Sequence, residues 1–124
     1  MTRLYLNLTA GGVALVALGY ALAPHTAVGS LLTVSFDNID QIHIFRAIMG
    51  LYLGLVAFWF FCASRPAYSR AGVLSAVLFM LGLASGRIVS MVIDGMPSPF
   101  LTAATLVEIA SGLWGVAILR STDG

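Results

Sequence analysis

The chain has 124 residues, 60% hydrophobic and only 9% charged, with six arginines, no lysine, five acids and a formal charge of +1. A mean hydropathy of +1.00 excludes an ordinary water-soluble globule, which needs far more charge to cover its surface. The near balance of charge argues against nucleic acid or an acidic polymer as partner.

Four apolar runs approach the roughly 20 residues that a helix needs to cross the hydrocarbon core. They predict transmembrane helices at about 4–23, 43–63, 71–93 and 100–119, joined by an outer loop at 24–42, in a single domain over 1–124. The first run competes with a signal-peptide reading, because Arg3 precedes it and Ala21-Leu22-Ala23 resembles a cleavage site. Its length, and Pro24 just after the cut, favour a retained helix. In the loop that follows, VGSLLTVSF is too short to span and is expected to lie at the interface as a partial lid.

Asp37 and Asp40 precede the second run, and Arg65-Pro66 ends it. Its aromatic cluster FWFF, residues 58–61, reads as an interfacial belt or a contact surface. Cys62, the single cysteine, has no partner for a disulfide or a metal and reads as buried apolar filler. Asp94-Gly95, Pro97 and Pro99 separate the third and fourth runs.

Arg3, Arg65, Arg70 and Arg120 fall on one side of such a chain, with His25, Asp37, Asp40 and Asp94 on the other. Both termini are therefore expected in the cytoplasm. The predicted fold is an all-α, integral membrane, up-and-down four-helix transmembrane bundle, in a bacterial inner membrane.

Three charges lie inside the apolar runs. Arg46 falls about one turn inside the outer end of the second helix, Arg87 about two turns inside that of the third, and Glu108 roughly eight residues into the fourth. Each is costly in lipid, so the three are expected to face inward and meet, with Asp94 near the mouth. Gly50 and Gly54, Gly82 and Gly86, and Gly112 and Gly115 follow or precede these charges at spacings that let backbones approach. A weak repeat offset by 62 residues lays FRAIMGLYLG, from Phe45, over VEIASGLWG, from Val107, pairing Arg46 with Glu108. It predicts duplicated helix pairs and matching places for these two residues.

DNIDQIHIFRAIMGLYLG, GRIVSMVIDGMPS and VEIASGL, in that order, resemble a family of small bacterial membrane proteins known as a domain of unknown function, number four-three-four-five. The resemblance covers nearly the whole chain from Pro24 onward. It implies Asn38, Arg46, Gly50, Tyr52, Gly86, Arg87, Asp94, Gly95 and Glu108 as characteristic positions, and brings no activity with it.

The functional expectation is a polar intramembrane pocket built on Arg46, Arg87 and Glu108, with Asp94, Asn38 and Tyr52 as further binding residues and His43 and Ser90 as additional hydrogen-bonding groups. Such a site suits a membrane lipid, a quinone or another amphiphile with a polar head. The competing expectation is a closed ionic network in an accessory subunit of a larger membrane complex or homo-oligomer. A small proton-coupled transporter fits less well, because neighbouring arginines oppose the proton exchange that Glu108 would perform. No cofactor motif and no metal-ligand spacing is present, and nothing specific points to an enzyme.

Overall fold

The computed structural model describes residues 1–22 and 38–123, and the expected lid at 28–36 lies outside them, as do His25 and Asp37. The described residues form four α-helices without strands: α1 (Thr2–Leu22), α2 (Ile39–Ser64), α3 (Ser69–Asp94) and α4 (Pro99–Asp123). A 3-10 turn at Pro66–Tyr68 joins α2 to α3. Three stretches, α2, Pro66–Asp94 and Pro99–Ser121, are long and apolar enough to cross a membrane.

Local chemistry explains the ends. Asn38 caps α2, its side chain accepting from the Gln41 N–H at 3.0 Å, so the helix starts one turn before the expected position. Gly95, with φ of 100°, stops α3 in a conformation that a residue with a Cβ rarely adopts. At the start of α4 the Ser98 carbonyl accepts both the N–H and the hydroxyl of Thr102.

Neighbouring helices run antiparallel. Along α2 and α3, Cys62 packs against Gly72, Trp59 against Ser75 and Phe79, and Tyr52 against Phe79. The α1–α2 and α3–α4 pairs pack most extensively, the two hairpins are joined through α3, which packs against both α2 and α1, and α1 touches α4 sparingly. A stripe of Tyr5, Leu6, Ala10, Val13 and Ala17 on α1 meets Val56 and Trp59 of α2 and Val73, Ala76 and Val77 of α3 in the core.

Trp59 corrects the reading of FWFF. It is fully buried, whereas Phe58, Phe60 and Phe61 are exposed. Its indole N–H donates to Ser75 Oγ at 3.0 Å, and that hydroxyl donates in turn to the Gly72 carbonyl at 2.9 Å. The glycine expectation is also corrected in part. Close approach falls at Gly72, Gly112 and Gly115, where an added Cβ would run into Cys62, Leu81, and Val77 with Tyr5, respectively. Gly50, Gly54, Gly82 and Gly86 face open space. Apolar residues surround these helices on every side, so spacing alone did not reveal which glycine stripe meets a neighbour.

A cleft between the first and last helices

Two stripes define the site. On α4, Ala104, Glu108, Ser111 and Trp114 recur at three or four residues, and on α1 the lining includes Leu8, Gly12, Val16 and Gly19. Because these helices touch sparingly, the space between them remains a cavity of about 800 Å3, backed by Phe79, Leu83 and Arg87 of α3 and by Tyr52 of α2. That volume falls within the roughly 300–1,000 Å3 of small-molecule pockets. Leu8, Leu15 and Val16 on one rim, and Phe100 and Val107 on the other, are exposed, so the cavity opens sideways between α1 and α4.

The ion pair between Arg87 and Glu108 interrupts the apolar wall. Arg87 Nε donates to both carboxylate oxygens of Glu108, at 3.1 Å to Oε1 and 2.9 Å to Oε2. The side chains are 24% and 12% exposed, placing a charge-assisted contact where lipid or protein replaces most of the water. Burial of both partners together avoids leaving either charge alone in a medium that solvates it poorly.

The expected site assembles in part. Arg87, Glu108 and Tyr52 share the cavity, and Tyr52 stacks edge-on against Phe79 with ring centres 5.1 Å apart. Arg46 is exposed on α2 and is not among the described lining residues, so of the two arginines expected to meet Glu108 it is Arg87 that does so. An arginine near a helix end reaches the polar interface through its long stem, which removes the need for an inward partner. Arg46 and Glu108, paired by the repeat, therefore stand in unlike surroundings. Asn38 serves as the α2 cap, and Asp94 accepts from Ser90 Oγ at 3.0 Å near the end of α3, with both residues exposed and outside the cavity. His43 is exposed on α2.

Several site residues were missed. Thr9 and Ser111 line the cavity, and behind them the fully buried Tyr5 places its hydroxyl beside both side chains. Its ring meets Trp114 edge-on at 5.1 Å, and Gly115 leaves room for the phenol. Ser111 was legible as the residue three after Glu108, on the same helical face. Thr9 and Tyr5 carried no comparable signal. Among the described residues no three His, Cys, Asp or Glu side chains gather as a metal would require.

No curated protein and no solved structure matches the chain. The model of a domain of unknown function, DUF4345, matches residues 1–119. That match spans all four helices, the cleft and its ion pair, and the chain belongs to the DUF4345 family.

Proposed function

We infer that the protein is a bacterial inner-membrane protein that binds an amphiphile, its tail lying in the cleft between α1 and α4 and its polar head near Arg87 and Glu108. The observation that carries this reading is the cavity itself: about 800 Å3, open sideways, its described lining mostly apolar and including the Arg87–Glu108 ion pair. Few convergent polar groups in a largely apolar pocket are the usual composition of a small-molecule site. A second reading, a brace that fixes the register of α3 and α4, is favoured by the two bonds from Arg87 Nε to the carboxylate. In that reading the chain is a structural or accessory subunit and the cleft has no resident ligand.

Gly12 offers the test. It lines the cavity, and a Cβ added there meets nothing within 4 Å, so Gly12→Phe is the substitution chosen to obstruct the cleft. Native mass spectrometry of gently extracted protein should show a bound amphiphile on the parent chain and its loss from the folded variant. An equal bound fraction on both, or none on either, would overturn the binding reading.

The topology that accompanies this proposal has α1 as a fourth span. Its 21 residues reach about 32 Å at helical rise, enough for the hydrocarbon core. Cysteines placed at Ser69 and at Ser98 should then react with impermeant thiol reagents from opposite sides, the former from the cytoplasm. Cys62 is buried and should contribute little background. Labelling of both positions from one side would eliminate the up-and-down arrangement.

A further inference from the structure

We propose that the cleft holds its ligand polar end first: a compact, uncharged polar end lies on a band of polar side chains at mid-depth, and the tail runs from there toward the end of the bundle that carries Phe100. This rests on the cleft binding an amphiphile at all and on the four-span topology, and it adds the direction and the size of the polar end.

The lining is sorted by level along the helix axes. Because neighbouring helices are antiparallel, Leu22, Ile39, Asp94 and Pro99 stand at one end of the bundle, and depth below that end follows from the helical rise. Gly19, Val16, Phe100, Leu101, Ala103 and Ala104 line roughly the first 9 Å, and none has a polar side chain. Among the described lining residues the polar side chains all fall below them: Arg87 at about 11 Å, Glu108 at about 14 Å, Ser111 at about 18 Å, and Thr9 and Tyr52 at about 20 Å. Beneath this band the cleft is shut. Trp114 forms its floor, where its ring meets that of the fully buried Tyr5 edge-on at 5.1 Å, and an added Cβ at Gly115 would run into Tyr5 and Val77.

A two-chain phospholipid fits this lining in neither direction. Standing in the leaflet at the Phe100 end, it would put its head at the apolar mouth and its tails against the polar band. From the opposite leaflet its tails meet the closed floor. Turning over would carry a charged or zwitterionic head deep into hydrocarbon, where ionised groups are poorly solvated. An uncharged end bearing a hydroxyl or a carbonyl gives up only the hydration of a hydrogen-bonding group, and side chains such as Ser111 and Thr9, which both donate and accept, can replace it. The matching class is therefore a long-chain molecule with one small neutral polar end, as in an alkanol or a quinol.

The chain's two tryptophans make the direction measurable. Trp114 stands at the floor of the cleft and Trp59 is buried in the core, so Trp59→Phe leaves Trp114 as the sole reporter. In phosphatidylcholine nanodiscs this variant is titrated with two isomers of one long-chain alcohol, brominated either beside the hydroxyl or at the far end of the chain. Bromine quenches an indole at contact range. Free in a leaflet, the alcohol keeps its hydroxyl at the interface, so there the far-end isomer is the one that reaches mid-depth. The cleft should reverse that order, the isomer brominated beside the hydroxyl quenching Trp114 severalfold more strongly. Gly12→Phe, chosen to obstruct the cleft, should restore the leaflet order. A phosphatidylcholine brominated in mid-chain should quench no more than it does with Gly12→Phe. Stronger quenching by the far-end isomer, above its level with Gly12→Phe, overturns the direction while leaving amphiphile binding intact, and the same excess from the brominated phosphatidylcholine overturns the compact polar end. No excess from any of the three removes the binding reading itself. The two isomers differ only in where the bromine sits, so their order is readable even where Gly12→Phe fails to fold, and the parent chain, in which buried Trp59 adds a constant background, repeats the measurement should Trp59→Phe fail.

Discussion

Arg87→Ala will lower the stability of the folded protein by about 3–5 kcal/mol, the usual cost of removing one member of a buried ion pair. The penalty arises from what remains: Glu108, with its side chain 12% exposed, keeps its charge site and loses the donor that meets both its oxygens. Reversible unfolding in mixed detergent micelles measures the loss. Replacing both residues, Arg87→Met with Glu108→Leu, should restore most of the stability, because two apolar side chains of similar bulk leave no stranded charge. The double variant also separates brace from binding site. A brace predicts full function in the folded double variant, whereas a binding role predicts recovered folding without bound amphiphile. A loss below about 1 kcal/mol in Arg87→Ala would mean that solvent already compensates Glu108.

Trp59→Ala should cost a similar 3–5 kcal/mol for a different reason. The indole is fully buried, stacks edge-on against Phe79 at 5.2 Å and donates to Ser75, at the place where Gly72 brings α2 and α3 together. Its removal leaves a large void where α2 packs against α3. Phe60→Ala, one residue along and exposed on the same helix, should cost far less. Comparable losses at the two positions in the same unfolding assay would show that the α2–α3 joint does not anchor the bundle.

Helices and the central ion pair were legible in the sequence, each for a physical reason. Long apolar runs leave backbone amides no partner but their own helix, and a charge inside such a run needs compensation, which singled out Arg87 and Glu108. Arg46 obeyed the same rule by another route, through exposure near a helix end. Facing direction was the missing information. Leu8, which rims the cleft, and Leu6, which fills the core, are alike as residues, and an apolar solvent removes the polar face that would have told them apart. Gly72 and Trp59 were hidden similarly, because their roles depend on which neighbour each meets. The burial of Tyr5 beside Thr9 and Ser111 depends on tertiary packing and has no signature in the chain order.

The sideways opening between α1 and α4 changes what affinity means for this site. A ligand arriving from water would gain the full hydrophobic free energy of its tail, about 0.8 kcal/mol for each buried methylene. A ligand arriving from a bilayer exchanges one hydrocarbon environment for another, and lipid tails are as apolar as leucine side chains. Tail length then governs how much ligand dissolves in the membrane, while contributing little to its choice of the cleft over the surrounding lipid. If the cleft binds an amphiphile, discrimination among molecules with the same tail would fall to the few polar side chains that line it, among them Glu108, Arg87, Thr9 and Ser111. Occupancy on that proposal would follow mole fraction in the membrane, so a modest intrinsic preference would be enough to fill the cleft with a common membrane component.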